Sequence, residues 1–451
     1  MKKESVNQQA GLWKISWPLF LEILLFIMMG NADTLMLSQY ADDAVAAVGV
    51  SNQVLNLLVI MFGFVTTGTA ILVANALGAN KEEKARDIIT VSFWANGFFG
   101  LIISLLMGLF GVQIMQMMNL EDSLLAQAAQ YTEWVGGFLV AQAMVMTVSA
   151  SLRSYGYTKD SMLITLGMNI INVIGNYILV FGPWGLPSYG VMGVAFSTTF
   201  SRILGMIVGV AYLQYKLKKP IKSLKKIDQP KSYLRDLLRI GLPSAGEHLT
   251  YNATQMVITY IITFMGTAAL TTKVYATNIV MFIFVAAIAI GQGTQILVSY
   301  KMGSKNYRDA YTQGISSLKI AIGISLVVAL IVYSFADPIL AIFTQDTQII
   351  TIAKQILLLS ILMEPGRAFN LVMGNALRAK GDVKYPMYLA IGSMWGVAVV
   401  FSYVFGILFH WGLIGCWLAF TIDEWLRGVL MLIRWNKSFR SLKGMRPLSL
   451  T

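Results

Sequence analysis

Runs of about 20 predominantly apolar residues recur along the whole chain, and a helix of that length crosses roughly 30 Å of hydrocarbon. The chain is 56% hydrophobic and 12% charged, whereas a soluble globular domain carries about 25% charged residues. Twelve spans fit the pattern, near 16–38, 52–76, 89–114, 127–150, 162–182, 190–215, 238–263, 274–299, 314–336, 350–373, 386–408 and 413–434. The runs are continuous and do not alternate at every second residue. They predict an all-α polytopic membrane protein and argue against a β-barrel. Glycine is abundant, which suits close helix packing in lipid. Several Trp, Tyr and Phe stand near the ends of the runs, where an interfacial belt places them.

The two halves match at a fixed offset of 225 residues. Gly68 to Val73 reads G-T-A-I-L-V, and Gly293 to Val298 reads G-T-Q-I-L-V. Pro18 falls on Pro243, Glu22 on Glu247, Leu152-Arg153 on Leu377-Arg378, and Gly156 on Gly381. Such a duplication constrains fold and mechanism together. Each half holds six spans, an even number, so both enter the membrane from the same side. The expected architecture is twelve helices in two parallel-repeat six-helix bundles around a central cavity with alternating access. The expected divisions are an N-terminal bundle over 1–215, a basic linker over 216–237 and a C-terminal bundle over 238–451.

The net charge of +12 lies in short connections, not on one amphipathic face. That excludes a nucleic-acid partner as the leading reading. Lys and Arg crowd alternate loops: Lys81, Lys84 and Arg86, then Arg153 and Lys159, then the linker, then Lys301, Lys305 and Arg308, then Arg378, Lys380 and Lys384. The opposite loops hold Asp42-Asp43, Glu121-Asp122, Lys273, Asp337 and Asp346 and almost nothing else basic. The positive-inside rule then puts both termini in the cytoplasm and the chain in the inner (plasma) membrane. The first span has no small-residue cleavage site after it and should be retained. The single cysteine, Cys416, reads as a small packing residue.

Several segments, in order and in duplicate, resemble the multidrug and toxic compound extrusion (MATE) family. They are W-P-L-F-L-E-I-L-L-F-I-M-M-G-N-A-D-T-L-M-L-S, G-T-A-I-L-V-A-N-A-L-G-A-N, S-L-R-S-Y-G-Y-T-K-D-S-M, N-I-I-N-V-I-G-N-Y-I-L-V-F-G and N-A-L-R-A-K-G-D-V-K-Y-P-M. The resemblance covers essentially the whole chain. It places the chain in the multidrug/oligosaccharidyl-lipid/polysaccharide flippase superfamily. It implies two six-helix bundles forming a V, and secondary active export of amphipathic or cationic drugs coupled to inward Na⁺ or H⁺. No cofactor is implied beyond the coupling ion. The expected partners are small drugs and membrane lipids, and the expected state is a monomer. The rival reading is a lipid or lipid-linked oligosaccharide flippase. Few basic residues fall inside the spans, chiefly Arg202, Lys319, Arg367 and Arg427, which disfavours it.

Asp33 is the sharpest site candidate. A carboxylate in the outer part of the first span is costly unless it faces a cavity or a partner. It can hold Na⁺ when ionised or carry a proton when neutral. Its repeat counterpart is the apolar Ile258, so its task belongs to the first half. The resemblance matches it to the family's coupling aspartate. Asn172 and Asn176 share one face of the fifth span and match the family's polar pair. Some members have an aspartate at the second position; here it is Asn176. With Asp33 they are the expected Na⁺ ligands, and Thr34, Asn31 and Thr198 are weaker candidates.

Glu22 and Glu247 each sit four residues after a repeated proline. Both read equally as inner-gate residues and as anchors of a helix start. Glu364 and Arg367 in the tenth span, with Asp423, Glu424 and Arg427 in the twelfth, form a candidate gate or C-lobe cavity cluster. Asp423 and Arg427 are four apart and can share a face. Glu364-Pro365-Gly366 predicts a local kink. The Na⁺-binding glutamate and aspartate of NorM-like members do not map cleanly onto this half. The cluster reads mainly as buried ion pairs beside the cavity. No G-x-x-x-x-G-K-[ST] run and no H-E-x-x-H motif occurs, so neither ATP hydrolysis nor zinc chemistry is expected, and the chain reads as a non-enzyme.

Overall fold

The computed structural model describes residues 11–118, 120–218, 220–221 and 223–443. Helices account for nearly all of them. In chain order they are α1 (Leu12–Ser38), α2 (Asp42–Gly78), α3 (Glu82–Gln116), α4 (Asp122–Gly137), α5 (Leu139–Ser154), α6 (Thr158–Phe181), α7 (Gly190–Leu217), α8 (Pro230–Thr263), α9 (Thr267–Gly303), α10 (Tyr307–Ser334), α11 (Ala336–Phe343), α12 (Thr347–Lys380), α13 (Lys384–Ser393), α14 (Val400–Tyr403) and α15 (Gly412–Lys443). Two π-helical segments, Met394–Val399 and Val404–Leu408, join α13 and α14 into one rod that ends at Leu408.

Among the described residues, nine helical spans are long and apolar enough to cross a membrane. There are ten if α4 and α5, bent by 44° at Phe138, count as one. The chain is therefore a multi-pass membrane protein. Every predicted span lies on helix. Those near 238–263 and 413–434 fall on α8 and α15, which are not among the nine. The fourth span, read as continuous, is broken: the carbonyl of Gly136 accepts from the Phe138 amide, and a new helix starts at Leu139. A short helix, α11, occupies a stretch read as loop.

Local chemistry sets the ends. Asp42 and Asp43, and Glu82 and Glu83, place negative charge in the first turns of α2 and α3. Asp346 accepts from the amides of Gln348 and Ile349 and caps α12. Gly182 and Gly381 close α6 and α12 in the left-handed region, at φ 57° and 99°.

The chain divides into two compact units. Among the described residues, one holds 21–245 and the other 11–20 with 246–443. The helix bounds keep the repeat: α2 and α9 begin and end at positions 225 apart. In the first unit, Leu37, Phe62, Tyr131, Leu139 and Val180 form the apolar core. In the second, Ile258, Ile356, Met363, Cys416 and Trp417 form one, so Cys416 packs as expected. The helices that carry the first unit's polar cluster approach closely because two glycines leave room. A side chain on Gly193 would meet the Leu179 carbonyl oxygen at 2.7 Å, and one on Gly175 would overlap the Ser197 hydroxyl. The missing side chains let α6 and α7 approach this closely.

Candidate functional site: a buried carboxylate held by two asparagines

Asp33 is 3% exposed. Three helices close a ring of hydrogen bonds on it. Asn176 Nδ2 donates to Asp33 Oδ1 at 2.5 Å, and Thr198 Oγ1 donates to Oδ2 at 3.3 Å. Asn172 Nδ2 donates to Thr198 Oγ1 at 3.1 Å, and Asn176 Nδ2 lies 3.5 Å from Asn172 Oδ1. The spacing 172 and 176 puts both amides on one face of α6, as the sequence predicts. The Ser197 hydroxyl donates to the Asn172 carbonyl at 2.7 Å and ties the α6 backbone to α7. Asn176 Oδ1 is buried without a hydrogen-bond partner. A carboxylate ringed by amides and a hydroxyl can hold a hard cation once the amides turn their oxygens toward it, or a proton on the carboxylate.

Thr34 and Asn31 do not join the ring. Both are exposed, and the Thr34 hydroxyl bonds back to the Gly30 carbonyl at 3.0 Å. The reason is helical geometry: Thr34, one residue on, points about 100° away from Asp33, and Asn31, two residues back, about 160° away. The neighbours that sequence reading did not connect with Asp33 are Arg202 and Tyr131, both close enough to interact electrostatically with it. Arg202 stands one turn beyond Thr198 on α7, and its Nε has no hydrogen-bond partner. A charge inside a span is itself a functional signal, so Arg202 was findable. Tyr131, whose hydroxyl faces Asn52 Oδ1 at 3.5 Å, carries no such signal.

Beside the ring lies a groove of about 850 Å³, lined by Trp134, Phe138, Ile174, Tyr189, Phe196 and Phe200. Ser197 belongs to both the groove and the ring's support.

The repeated glutamates find the repeated arginines. In the second unit, Arg378 Nη1 meets Glu247 Oε2 at 2.5 Å. In the first, Arg153 Nη1 stands 3.7 Å from Glu22 Oε1, which accepts from Ser161 at 2.8 Å. Glu22 Oε2 is left unpartnered.

The five charged residues of the second unit form one network. Arg367 Nη1 pairs with Glu364 Oε1 at 2.8 Å, and its Nε lies 3.5 Å from Glu424 Oε1. Arg427 Nη2 pairs with Asp423 at 2.6 Å and Glu424 at 3.0 Å. Asn370 donates to Glu424 at 2.9 Å, and Ser393 donates to Asp423 at 2.5 Å. Helix α12 continues through Pro365 without a break. Gly366 lets the Trp425 ring of α15 pack against it, since a Cβ there would stand 2.6 Å from the ring.

The repeat relates the two clusters. Arg427 is the counterpart of Arg202, and Asp423 that of Thr198. Each unit sets a buried acid near the same arginine, but the acid comes from α1 in the first unit and from α15 itself in the second. In the second unit the acid is locked to its arginine. In the first, no hydrogen bond joins them.

A family model described as MatE matches residues 18–178 and 243–404, two segments that start at the paired prolines. The chain belongs to the MATE family. It is similar to other members along its length. An uncharacterized transporter, YisQ of Bacillus subtilis (strain 168), is 44% identical over 98% of this chain and 97% of its own. A probable multidrug resistance protein NorM of Thermotoga maritima is 28% identical over 97% and 95%. The MATE fold is matched by a MOP superfamily transporter of Pyrococcus furiosus described as having a binding pocket of reversed polarity. Its TM-score is 0.88 at 19% identity, covering 98% of this chain and 99% of that one. An outward-facing multidrug resistance MATE transporter matches with TM-score 0.89, again at 19% identity over 98% and 99%. As a MATE protein the chain is a secondary transporter, and not an enzyme.

Proposed function

We propose that this MATE transporter exports amphipathic or cationic organic compounds in exchange for inward Na⁺ or H⁺, with Asp33 as the coupling group. The observation that carries the reading is the buried carboxylate closed into a ring by Asn176, Asn172 and Thr198. Its placement in one unit alone supports a coupling role, because Ile258 at the repeat position is part of an apolar core. Arg202 tempers the site. Its charge opposes that of an arriving cation, so binding stays weak enough for release, as transport requires. The groove lined by Trp134, Phe196 and Phe200 suits ring-bearing amphipathic compounds. The two units are read as the two six-helix bundles of a monomeric twelve-span transporter, with both termini cytoplasmic.

The deciding experiment is gradient-driven export by Asp33→Asn in proteoliposomes, with Na⁺ and proton gradients imposed separately. The substitution preserves size and hydrogen bonding and removes the charge. Coupled export should disappear while the protein stays folded and still binds drug. Coupling is reciprocal, so the driving cation should displace drug from the wild type and not from Asp33→Asn. Full gradient-coupled export by the variant would remove Asp33 from the mechanism.

A further inference from the structure

We propose that the buried face between α1 and α6 is a sodium conduit from Asp33 to Glu22, with Asn169 as the station between them. The proposal rests on the reading of Asp33 as the cation site.

Helix α6 buries Ser161, Thr165, Asn169, Asn172 and Asn176. Steps of three and four place them on one face. That face bonds to α1 at three levels. Ser161 donates to Glu22 at 2.8 Å, Asn169 Nδ2 donates to the Leu25 carbonyl at 3.0 Å, and Asn176 donates to Asp33 at 2.5 Å. The two carboxylates are eleven residues apart on α1, or about 16 Å along a helix.

Three oxygens on this face are buried without partners: Glu22 Oε2, Asn169 Oδ1 and Asn176 Oδ1. Their side chains belong to residues 7%, 9% and 0% exposed. Each such oxygen costs about 1–3 kcal/mol if nothing ever binds it. Three in one file, ending at an acid on each side, form a row of hard oxygen ligands. Polar glue between helices would serve both halves of a duplicated protein. The second unit lacks it: the counterparts of Ser161, Asn169, Asn172 and Asn176 are Pro386, Met394, Val397 and Phe401. The end station differs in the same sense. Glu247 is closed by Arg378 at 2.5 Å, whereas Glu22 stands 3.7 Å from Arg153 with one oxygen free. The intermediate stations select the ion. An amide oxygen can coordinate Na⁺ but has no proton to hand on.

The test uses the full chain. Equilibrium binding of radiolabelled Na⁺ is measured on purified protein, and Na⁺ counterflow on proteoliposomes holding unlabelled Na⁺. Asn169→Leu and Glu22→Gln should bind Na⁺ with nearly wild-type affinity yet slow counterflow by about tenfold or more, the effect of raising one barrier by an unmade contact. Asn169→Gln, which restores an amide oxygen, should recover most of the rate; a merely structural loss at this position would not be repaired by a longer side chain. Asp33→Asn should lose equilibrium binding. Should Glu22→Gln fail to fold with Arg153 left unpaired, the Asn169 pair decides alone. Wild-type counterflow in folded Asn169→Leu overturns the conduit and leaves the Asp33 site standing. Loss of equilibrium binding in Asn169→Leu as complete as in Asp33→Asn also overturns it, by making Asn169 part of the first site. Unchanged Na⁺ binding in Asp33→Asn overturns the underlying reading instead. A wild type that carries no Na⁺ and answers only to protons overturns the choice of ion.

Discussion

Arg202 and Arg427 stand at the same repeat position and face different fates. Arg427 is spent on Asp423 and Glu424 within hydrogen-bond reach, while Arg202 acts on Asp33 without a hydrogen bond. A locked pair resists an incoming ion, and an open one admits it. The second unit's network should therefore govern folding more than ion choice. Arg367→Gln leaves Glu364 without its cation, while Glu424 keeps Arg427. Breaking a buried pair from one side costs about 3–5 kcal/mol. The variant should show a lower yield of folded protein and a lower thermal unfolding temperature in detergent, with ion selectivity unchanged. Normal stability with an altered substrate range would move the cluster into the binding site. In the first unit, Asn176→Ala removes one oxygen and keeps the charge. It should weaken the effect of the coupling cation on drug binding without erasing it, as a titration of drug affinity against cation concentration would show.

At the scale of elements, the repeat is kept in length and broken in regularity. Helices α2 and α9 match end for end, yet the counterpart of the bent α4–α5 pair is the unbroken α12. The counterpart of α6 is the rod with two π-helical segments. Regular helix in α6 is what keeps its polar residues in register with α1. The close approach of α6 and α7 then brings Thr198 to Asp33. Gly193→Val should push α7 away from the Leu179 carbonyl. Overpacking of this kind costs about 1–3 kcal/mol. Thermal unfolding should report that loss, and drug displacement by the coupling cation should fall with it. A stable variant with intact coupling would show that α7 need not approach α6 for the ring to work.

At the scale of the whole molecule, the alternation of basic and acidic loops makes a topological prediction. Lys225→Cys in a Cys416→Ser background should react with a membrane-impermeant thiol reagent only from the cytoplasmic side. Asp43→Cys and Asp122→Cys should react from outside. Labelling of position 225 on intact cells would overturn the parallel six-plus-six arrangement. The sequence alone determined the membrane class, the helical content and the duplication, and it singled out Asp33 as a charge inside a span. Each is a property of composition or spacing along one chain: hydrophobic length, offset identity, and the cost of a charge in hydrocarbon. The pairing of Asn172 with Asn176 was legible for the same reason, since helical spacing is local. Tertiary structure alone decided which groups meet across helices. Thr198 reaches Asp33 while Thr34, its chain neighbour, bonds back to Gly30. The repeated glutamates and arginines were visible as letters, but not that one pair would close at 2.5 Å and the other stand at 3.7 Å. Those outcomes depend on helix rotation and on how near two backbones come, set by residues such as Gly175 and Gly193. Hydropathy carries no record of either.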